Sequence, residues 1–415
     1  MNKDWKQTTL GEVAGIITGG TPPSKYPECY GSMYPFITPT DISDASAFCL
    51  TQRFLSEVGR TRFKSRVLPK NSICFTCIAS IGKICLTTQE SFTNQQINSL
   101  IVDSSKADYR FIYYLLKYLT PNIKSQAGGT ITGIINKSSF SKTEIDLPDL
   151  NIQRSIADTL WVLDDKIELL RDQNKTLEEM AQRLFKEWFV DFNFPNADGK
   201  PYKASGGKMV ESEMGEIPEG WRVGKLGSEF DISIGRTPPR LEQQWFSDVP
   251  IGKKWISIKD IGNSETYISN TSEYLTDEAI DRFNIPIIPD GTTILSFKMT
   301  VGKLAITTEE MLSNEAIAHL KIKSNSIFSS EYIYLYLKGL DFNSLGSTSS
   351  IVTAINSTMI KALEILIPAD QVLLVFDQFI KPIFAKEKNN NFEIQTLSKL
   401  RDTMLPKLMS GVLQL

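Results

Sequence analysis

Apolar residues recur along one stretch of the chain at Ile156, Leu160, Leu163, Ile167, Leu170, Leu177, Ala181, Leu184 and Trp188, with Asn174 in the same series. The spacing alternates four and three, the heptad of a coiled-coil seam rather than the broader stripe of a surface helix. A second series begins in the same register: Phe376, Phe379, Ile383, Asn390, then Leu397, Leu400 and Met404. It is weaker, because Lys386 and Glu393 take seam positions and Pro382 interrupts the run. Long helices are therefore expected over 151–192 and 369–410. Asn174 and Asn390 occupy matching polar positions, and a seam Asn costs stability while fixing register. Antiparallel packing lets the two meet; side chains facing solvent are the alternative.

Outside these segments the pattern mixes short strands and helices. ICFTCIASIGKICLTT, from Ile73, reads as two β-branched and aromatic strands around a Ser80-Ile81-Gly82-Lys83 turn. DYRFIYYLLKYL (108–119) and EYIYLYLKGL (331–340) read as buried helices stopped near Pro121 and Gly339. The segment 193–220, rich in Gly, Pro and charge, reads as a linker.

Sliding the chain on itself shows that these patterns occur twice. TGGTPPSK at Thr18–Lys25 returns as IGRTPPR at Ile234–Arg240, an offset of 216, and Trp5 and Trp221 lead in at the same offset. FITPTDI meets WISIKDI at 219. LPKNSICFTCIASIGKICLTTQESFTNQQI, from Leu68, meets IPDGTTILSFKMTVGKLAITTEEMLSNEAI at 220. INKSSFSKTEIDLP meets INSTMIKALEILIP further on. One α+β domain of about 150 residues is thus present twice, over 1–150 and 221–368. The expected architecture is domain, helix, linker, domain, helix. The helices pair as an antiparallel coiled coil, and about 35 helical residues separate two similar heads by roughly 50 Å across an approximate two-fold axis. Such a body suits a duplex, whose half-sites recur about every 34 Å.

At 415 residues there is room for two or three cores. A net charge of −3 excludes a strongly basic nucleic-acid coat. Residues 1–150 carry 16 Lys+Arg against 12 Asp+Glu, and 221–368 carry 14 against 17, which permits DNA binding without arguing for it. No apolar run reaches the roughly 18 residues of a membrane helix, and MNKDWKQTT lacks a secretory core, so a cytoplasmic chain is expected. The five cysteines, Cys29, Cys49, Cys74, Cys77 and Cys85, are odd in number, which disfavours a disulfide framework. Cys74 and Cys77, three apart in a strand, point to opposite faces, and Ile294 and Phe297 take their places in the other copy. They read as core.

Taken together, GEIPEGW (215–221), the twin TPP turns, TPTDI and SIKDI, SIGK and TVGK, TNQQI and the C-terminal LRDTMLPKLMSG (400–411) resemble the specificity subunits of type I restriction–modification systems. The likeness covers the whole length; the first copy departs from it by starting at NKDW without the GEIPEG lead-in. The resemblance implies two target-recognition domains, each reading one half of a split DNA sequence, with the helices as a ruler. It implies no catalysis and no cofactor in this chain. Two methyltransferase subunits would dock on the helices with S-adenosylmethionine and methylate one adenine per half-site. Restriction/translocase subunits would add ATP and Mg, and no membrane is involved.

The residues themselves argue against chemistry by the chain alone. TPPS and TPPR lack the amide or carboxylate and the aromatic of an amino-methyltransferase loop. There is no Gly-rich dinucleotide loop and no phosphate cradle of the GxxxxGK[ST] type. His319 is the single histidine, which excludes ordinary triads and His-rich metal sites. Pro289-Asp290 is not followed by the acid-x-Lys of a nuclease. A coiled-coil scaffold with duplicated protein-binding domains, or a self-contained DNA enzyme, remain the other classes.

DNA contact needs Lys, Arg, Ser, Thr, Asn, Gln or carboxylates on rigid supports. Loops shared by the copies supply Thr21, Ser24 and Lys25 against Thr237 and Arg240, Thr40 and Asp41 against Lys259 and Asp260, and Ser80 and Lys83 against Thr300 and Lys303. Positions that differ between copies are candidates for discrimination: Gly20 against Arg236, Thr76 against Ser296, Ile78 against Lys298, and Gln95-Gln96 against Glu315-Ala316. Gly128-Gly129-Thr130 and Ser347-Thr348-Ser349 are polar loops fit to enter a groove. Arg60, Arg62, Lys64 and Arg66 form a basic run in the first copy, facing Ile280, Arg282, Asn284 and Pro286. For each of these residues, a turn or a solvated surface is the competing reading.

Overall fold

A computed structural model of the chain describes residues 5–43, 46–127, 133–298, 300–342 and 356–413. The expected groove loops at 128–130 and 347–349 lie outside the described residues. The chain forms two compact units, Met1–Arg171 with Glu393–Leu415, and Asp172–Phe392. Each holds one copy of the repeat and half of each long helix.

In the first unit, a four-stranded antiparallel sheet runs in the order Ala14–Thr18, Ile97–Val102, Ile73–Thr76, Ile84–Leu86. Ile73–Thr76 is buried at every position, so it carries apolar side chains on both faces rather than alternating with polar ones. One face packs on the helix Tyr109–Ala127 through Phe75, Phe111, Ile112 and Leu116. The other, with Cys74 and Cys85, meets Ile37, Ile42 and Leu68. Cys77 joins the helix-side core while Cys74 joins the opposite one, as strand geometry requires. A smaller sheet orders Tyr30–Gly31, Phe54–Leu55, Tyr34–Ile37 and Phe92–Thr93.

The second unit repeats this plan in the same register. Ile16 pairs with Leu100 and Cys74 with Ser99 in the first; Ile232 pairs with Leu320 and Ile294 with His319 in the second. Its main sheet gains a fifth, parallel strand, Tyr267–Ile268, on Leu304–Thr307.

Two expectations are corrected. The helix expected to stop at Pro121 runs on to Ala127 with Pro121 inside it. The buried face, continued by Ile123, outweighs the lost backbone hydrogen bond, and the Thr120 hydroxyl donates back to the Leu116 carbonyl at 2.7 Å. The segment 193–220, read as a linker, is folded. Met209–Ser212 and Gly215–Pro218 form a hairpin, Ile217 is buried, and Phe194 stacks on Tyr202 and Trp221 at centroid distances of 4.6 and 5.0 Å. Aromatic residues spaced through a polar stretch anchored it, and composition averaging hid them.

The long helices are Leu150–Phe189 and Asp370–Met409, and they run antiparallel within each unit. In the first unit Ile167 and Leu170 cluster with Ile394 and Leu397, and Leu160 with Met404 and Leu408. In the second, Phe185 and Trp188 meet Phe376 at 6.1 and 5.5 Å. Asn390 Nδ2 donates to Asn174 Oδ1 at 2.9 Å, and Asn174 Nδ2 to Asn391 Oδ1 at 3.0 Å, so the matched seam amides meet. Several expected seam positions shift by one. Phe379 and Leu400 are about half exposed, Leu163, Leu177, Leu184 and Ile383 are partly buried, and Asp164, Phe185, Ile380, Phe384, Glu387 and Arg401 are buried. Phe379 instead edges the Trp188 ring at 6.0 Å. Three of the newly buried residues are charged, so a hydrophobic pattern skipped them.

These charges are paired or shifted. Arg401 Nη1 lies 2.5 Å from Asp164 Oδ1, and the Tyr114 hydroxyl donates to Asp164 Oδ2 at 2.5 Å. Arg401→Ala leaves Asp164 buried without its cation and is expected to cost about 3–5 kcal/mol in denaturant unfolding. Replacing both residues with Leu and Met should cost less than that single change. Glu387 is pushed up to about 8, chiefly by burial and then by Glu178 and Glu265, from an ordinary value near 4.5. Between these values the folded chain holds a proton that the unfolded chain has lost, so stability falls as pH rises through this window. Glu387→Gln should raise unfolding stability at pH 8 by about 1–3 kcal/mol and flatten the decline from pH 5 to 8.

Candidate nucleic-acid interface

In each unit the Thr-Pro-Pro elbow leaves the main sheet at a point of close backbone approach. Gly19 N donates to Ile97 O at 3.1 Å and Gly20 N to Thr93 O at 2.8 Å. Gly235 and Arg236 repeat this with Ile317 O and Ser313 O at 3.2 and 2.9 Å. A Cβ on Gly19 would fall 2.2 Å from Asn94 O, and one on Gly235 2.1 Å from Ser313 O. Only glycine fits. The elbow then turns outward, with Pro22 and Pro238 buried, and Ser24 and Lys25 exposed. The Thr21 hydroxyl donates to Gln95 Oε1 at 2.6 Å, and the Thr237 hydroxyl reaches the Glu315 carboxylate in the same way.

Two further loops join this edge. Asn94 N donates to Ile37 O and Asn314 N to Ile256 O, each at 3.1 Å, which ties the TNQQI and SNEAI turns to the TPTD and SIKD turns. Asp41 and Asp260 hold those turns. Asp41 Oδ2 accepts from Thr38 N and Thr38 Oγ1 at 2.7 and 2.8 Å. Asp260 accepts from Ser257 N and Oγ at 2.9 and 2.7 Å in a capping box, and from Ser272 N and Oγ at 3.0 and 2.6 Å. Thr40 and Lys259, beside them, are exposed.

Thr76 and Ser296 are corrected from reading residues to turn braces. Both are fully buried. Lys83 N donates to Thr76 Oγ1 at 2.9 Å and Lys303 N to Ser296 Oγ at 3.0 Å, while each hydroxyl donates to a carbonyl across its turn, Ser80 O or Thr300 O. Lys83 is also occupied, its Nζ donating to Pro39 O and Ile42 O at 3.0 and 3.1 Å. Ser80, Lys298, Thr300 and Lys303 are exposed.

Most of the expected arginines are engaged within the fold. Arg240 pairs bidentately with Glu273 at 2.7 and 2.9 Å and lies over the Phe246 and Trp255 rings. Arg62 stacks 3.5 Å from the Tyr26 ring centroid and pairs with Glu28 at 3.7 Å. Arg60 pairs with Glu90 and Glu57. Two of the four residues of the basic run, Arg60 and Arg62, are therefore neutralised within the fold. Gln96 Oε1 accepts from Asn94 Nδ2 at 2.9 Å, leaving Gln95 as the exposed member of that pair. His319 is fully buried between Ser233 and Ser313 hydroxyls, and burial pushes it down to about 3, so it is a neutral core residue. Sequence reasoning passed over Arg53, whose Nη2 donates to Thr38 Oγ1 at 2.6 Å, because it lies outside the strings that align between copies.

Each unit thus presents one edge where four loops are fixed by backbone hydrogen bonds, with braces underneath and variable polar side chains on top. Residues 2–179 and 218–396 match the family model of the type I restriction modification DNA specificity domain. The chain belongs to that family, as a specificity subunit with two DNA-recognition domains. It is 28% identical over 421 residues to the type I restriction enzyme MjaIX specificity subunit of Methanocaldococcus jannaschii, covering 99% of this chain and 94% of that protein. The HindI specificity subunit of Haemophilus influenzae is 25% identical over 476 residues, with 98% and 99% covered. The crystal structure of a type I S subunit from M. genitalium shares the fold with a TM-score of 0.55 at 16% identity, over 98% of this chain and 96% of that one.

Braces and surface residues should respond differently to mutation. Asp260→Ala is expected to cost about 1–3 kcal/mol in thermal unfolding of the full chain. Lys259→Ala, one residue away and exposed, should stay within about 0.5 kcal/mol of the parent.

Proposed function

We propose that each recognition domain reads one half of a bipartite DNA sequence and that the chain performs no chemistry itself. The observation that carries this reading is the same four-loop edge built twice in one chain, with its frame matched and its exposed residues different. Ser24, Lys25, Thr40, Ser80 and Gln95 in one head stand where Arg240, Leu241, Lys259, Thr300 and Glu315 stand in the other. Hydroxyls, amides and ammonium groups on a rigid support suit phosphate contact and base-edge readout. The braces, Asp41, Asp260, Thr76, Ser296 and Lys83, aim them.

In this reading the paired helices set the gap between half-sites and offer a docking surface to two methyltransferase subunits. Those subunits would bind S-adenosylmethionine and methylate one adenine in each half, and restriction/translocase subunits would bring ATP and Mg. The buried, neutral His319 and the core cysteines support assigning the chemistry to partners. No helix among the described residues is long and apolar enough to cross a membrane, and a role on DNA supports a cytoplasmic complex.

Mapping methylated adenines in DNA from cells that carry the complex should return a split sequence with two constant halves. Exchanging residues 1–150 for the first domain of another family member should change one half and leave the other and the gap intact. Methylation of DNA by the isolated chain, or a change in both halves, would overturn the proposal.

A further inference from the structure

The two copies differ at Gly20 and Arg236, and again at Arg66 and Pro286. The structure joins these two differences into one. Arg66 Nη1 donates to Gly19 O at 2.9 Å, so its guanidinium lies against the elbow. A Cβ on Gly20 would stand 1.3 Å from that nitrogen. In the first head a side chain at position 20 would therefore have to displace the Arg66 guanidinium, which occupies that space. In the second head Pro286 cannot supply a guanidinium, and Arg236, at the position of Gly20, supplies it instead. Its Nη1 donates to Phe283 O at 3.0 Å. That carbonyl ends a short helix, Asp277–Phe283, whose next residue, Asn284, is left-handed. Its counterpart, Phe63 O, is satisfied by Arg66 N at 2.7 Å, and the Arg66 guanidinium lies 5.6 Å from the Phe63 ring. Each head thus keeps one guanidinium beside the elbow, Arg66 between Gly19 O and the Phe63 ring and Arg236 against Phe283 O.

Ion pairing separates these two from most arginines around the edge; Arg282, also without an ion pair among the described residues, lies over the Trp245 ring instead. Arg53 lies beside Asp41, Arg60 beside Glu90, Arg62 beside Glu28 and Arg240 beside Glu273. Neither Arg66 nor Arg236 forms an ion pair among the described residues, and each spends a single N–H on a backbone carbonyl. A guanidinium has five donors. Arg66 is half-buried and Arg236 exposed, both at the loop edge. A fixed cation without a counterion, with donors to spare, matches a phosphate oxygen.

We propose that Arg66 and Arg236 are equivalent phosphate clamps, one per head, supplied from different places in the chain. The assignment rests on the reading of each head as a DNA-binding domain. The test measures affinity of the full chain, assembled with its modification subunits, for a duplex carrying the mapped methylation site, as a function of salt. Arg66→Ala and Arg236→Ala should each weaken binding about 3- to 10-fold at 0.1 M salt and lower the salt slope by about 0.9, leaving the methylated sequence unchanged. Gly20→Arg alone should weaken binding by crowding Arg66. Adding Arg66→Pro, which copies the second head, should restore both affinity and slope. A folded Arg66→Ala complex with parental affinity and slope would overturn the clamp, as would a changed methylated sequence, which marks base readout. Failure of the parent complex to bind any duplex would instead overturn the reading on which the clamp rests.

Discussion

The backbone contact at Gly19 and Gly235 holds the candidate interface together. At these points the elbow leaves the sheet so close to the neighbouring strand end that no side chain fits between them, and two amide hydrogen bonds fix the approach. The adjoining residues, Asn94 and Asn314, use their own N–H groups to hold the next loop. The loops at the edge are thereby positioned by main chain and buried braces such as Asp260 and Thr76 rather than by the side chains they display. Surface residues can change without moving the support, which lets two recognition domains of one frame carry different exposed side chains.

The helices solve a related problem by different means. A seam of uniform leucines would pack well and slide; this one carries amides in one unit and an ion pair in the other. Asn390 Nδ2 reaches Asn174 Oδ1 only in one register, and Arg401 finds Asp164 only in the same alignment of the two helices. Each polar group costs desolvation, so its value lies in penalising shifted pairings. Glu387, buried at a seam position and pushed up to about 8, has no hydrogen-bond partner for Oε2 among the described residues and shows that cost directly.

The repeat made much of the fold legible. Apolar strings that coincide at an offset of 220 mark the central strands, and the structure pairs them in matching registers. Legibility failed where packing reversed a local signal. Pro121 stays helical because the helix face beneath it is buried, and 193–220 folds because Phe194, Tyr202 and Trp221 stack across a polar stretch. At the candidate interface, residue type did not separate braces from readers. Thr76 and Thr40 are chemically alike, yet one is sealed inside a turn and the other exposed. The distinction depends on which hydroxyl a backbone amide reaches, which requires the third dimension.

Differences between internal copies carry two meanings that sequence cannot separate. Lys259 against Thr40 is a change of exposed chemistry beside a matched acidic brace, Asp260 or Asp41. Gly20 against Arg236, taken alone, reads as a change of the same kind, the loss of a cation. It is instead a relocation, because Arg66 fills the space and Pro286 vacates the matching one. Aligned position by position, the heads differ twice; compared in space, both keep one cation beside the elbow. Variation at such an edge therefore has to be counted by the groups it presents and not by the columns of an alignment. By that count, the two heads agree in the cation beside the elbow and diverge in the exposed residues at Ser24, Thr40, Ser80 and Gln95 and their counterparts.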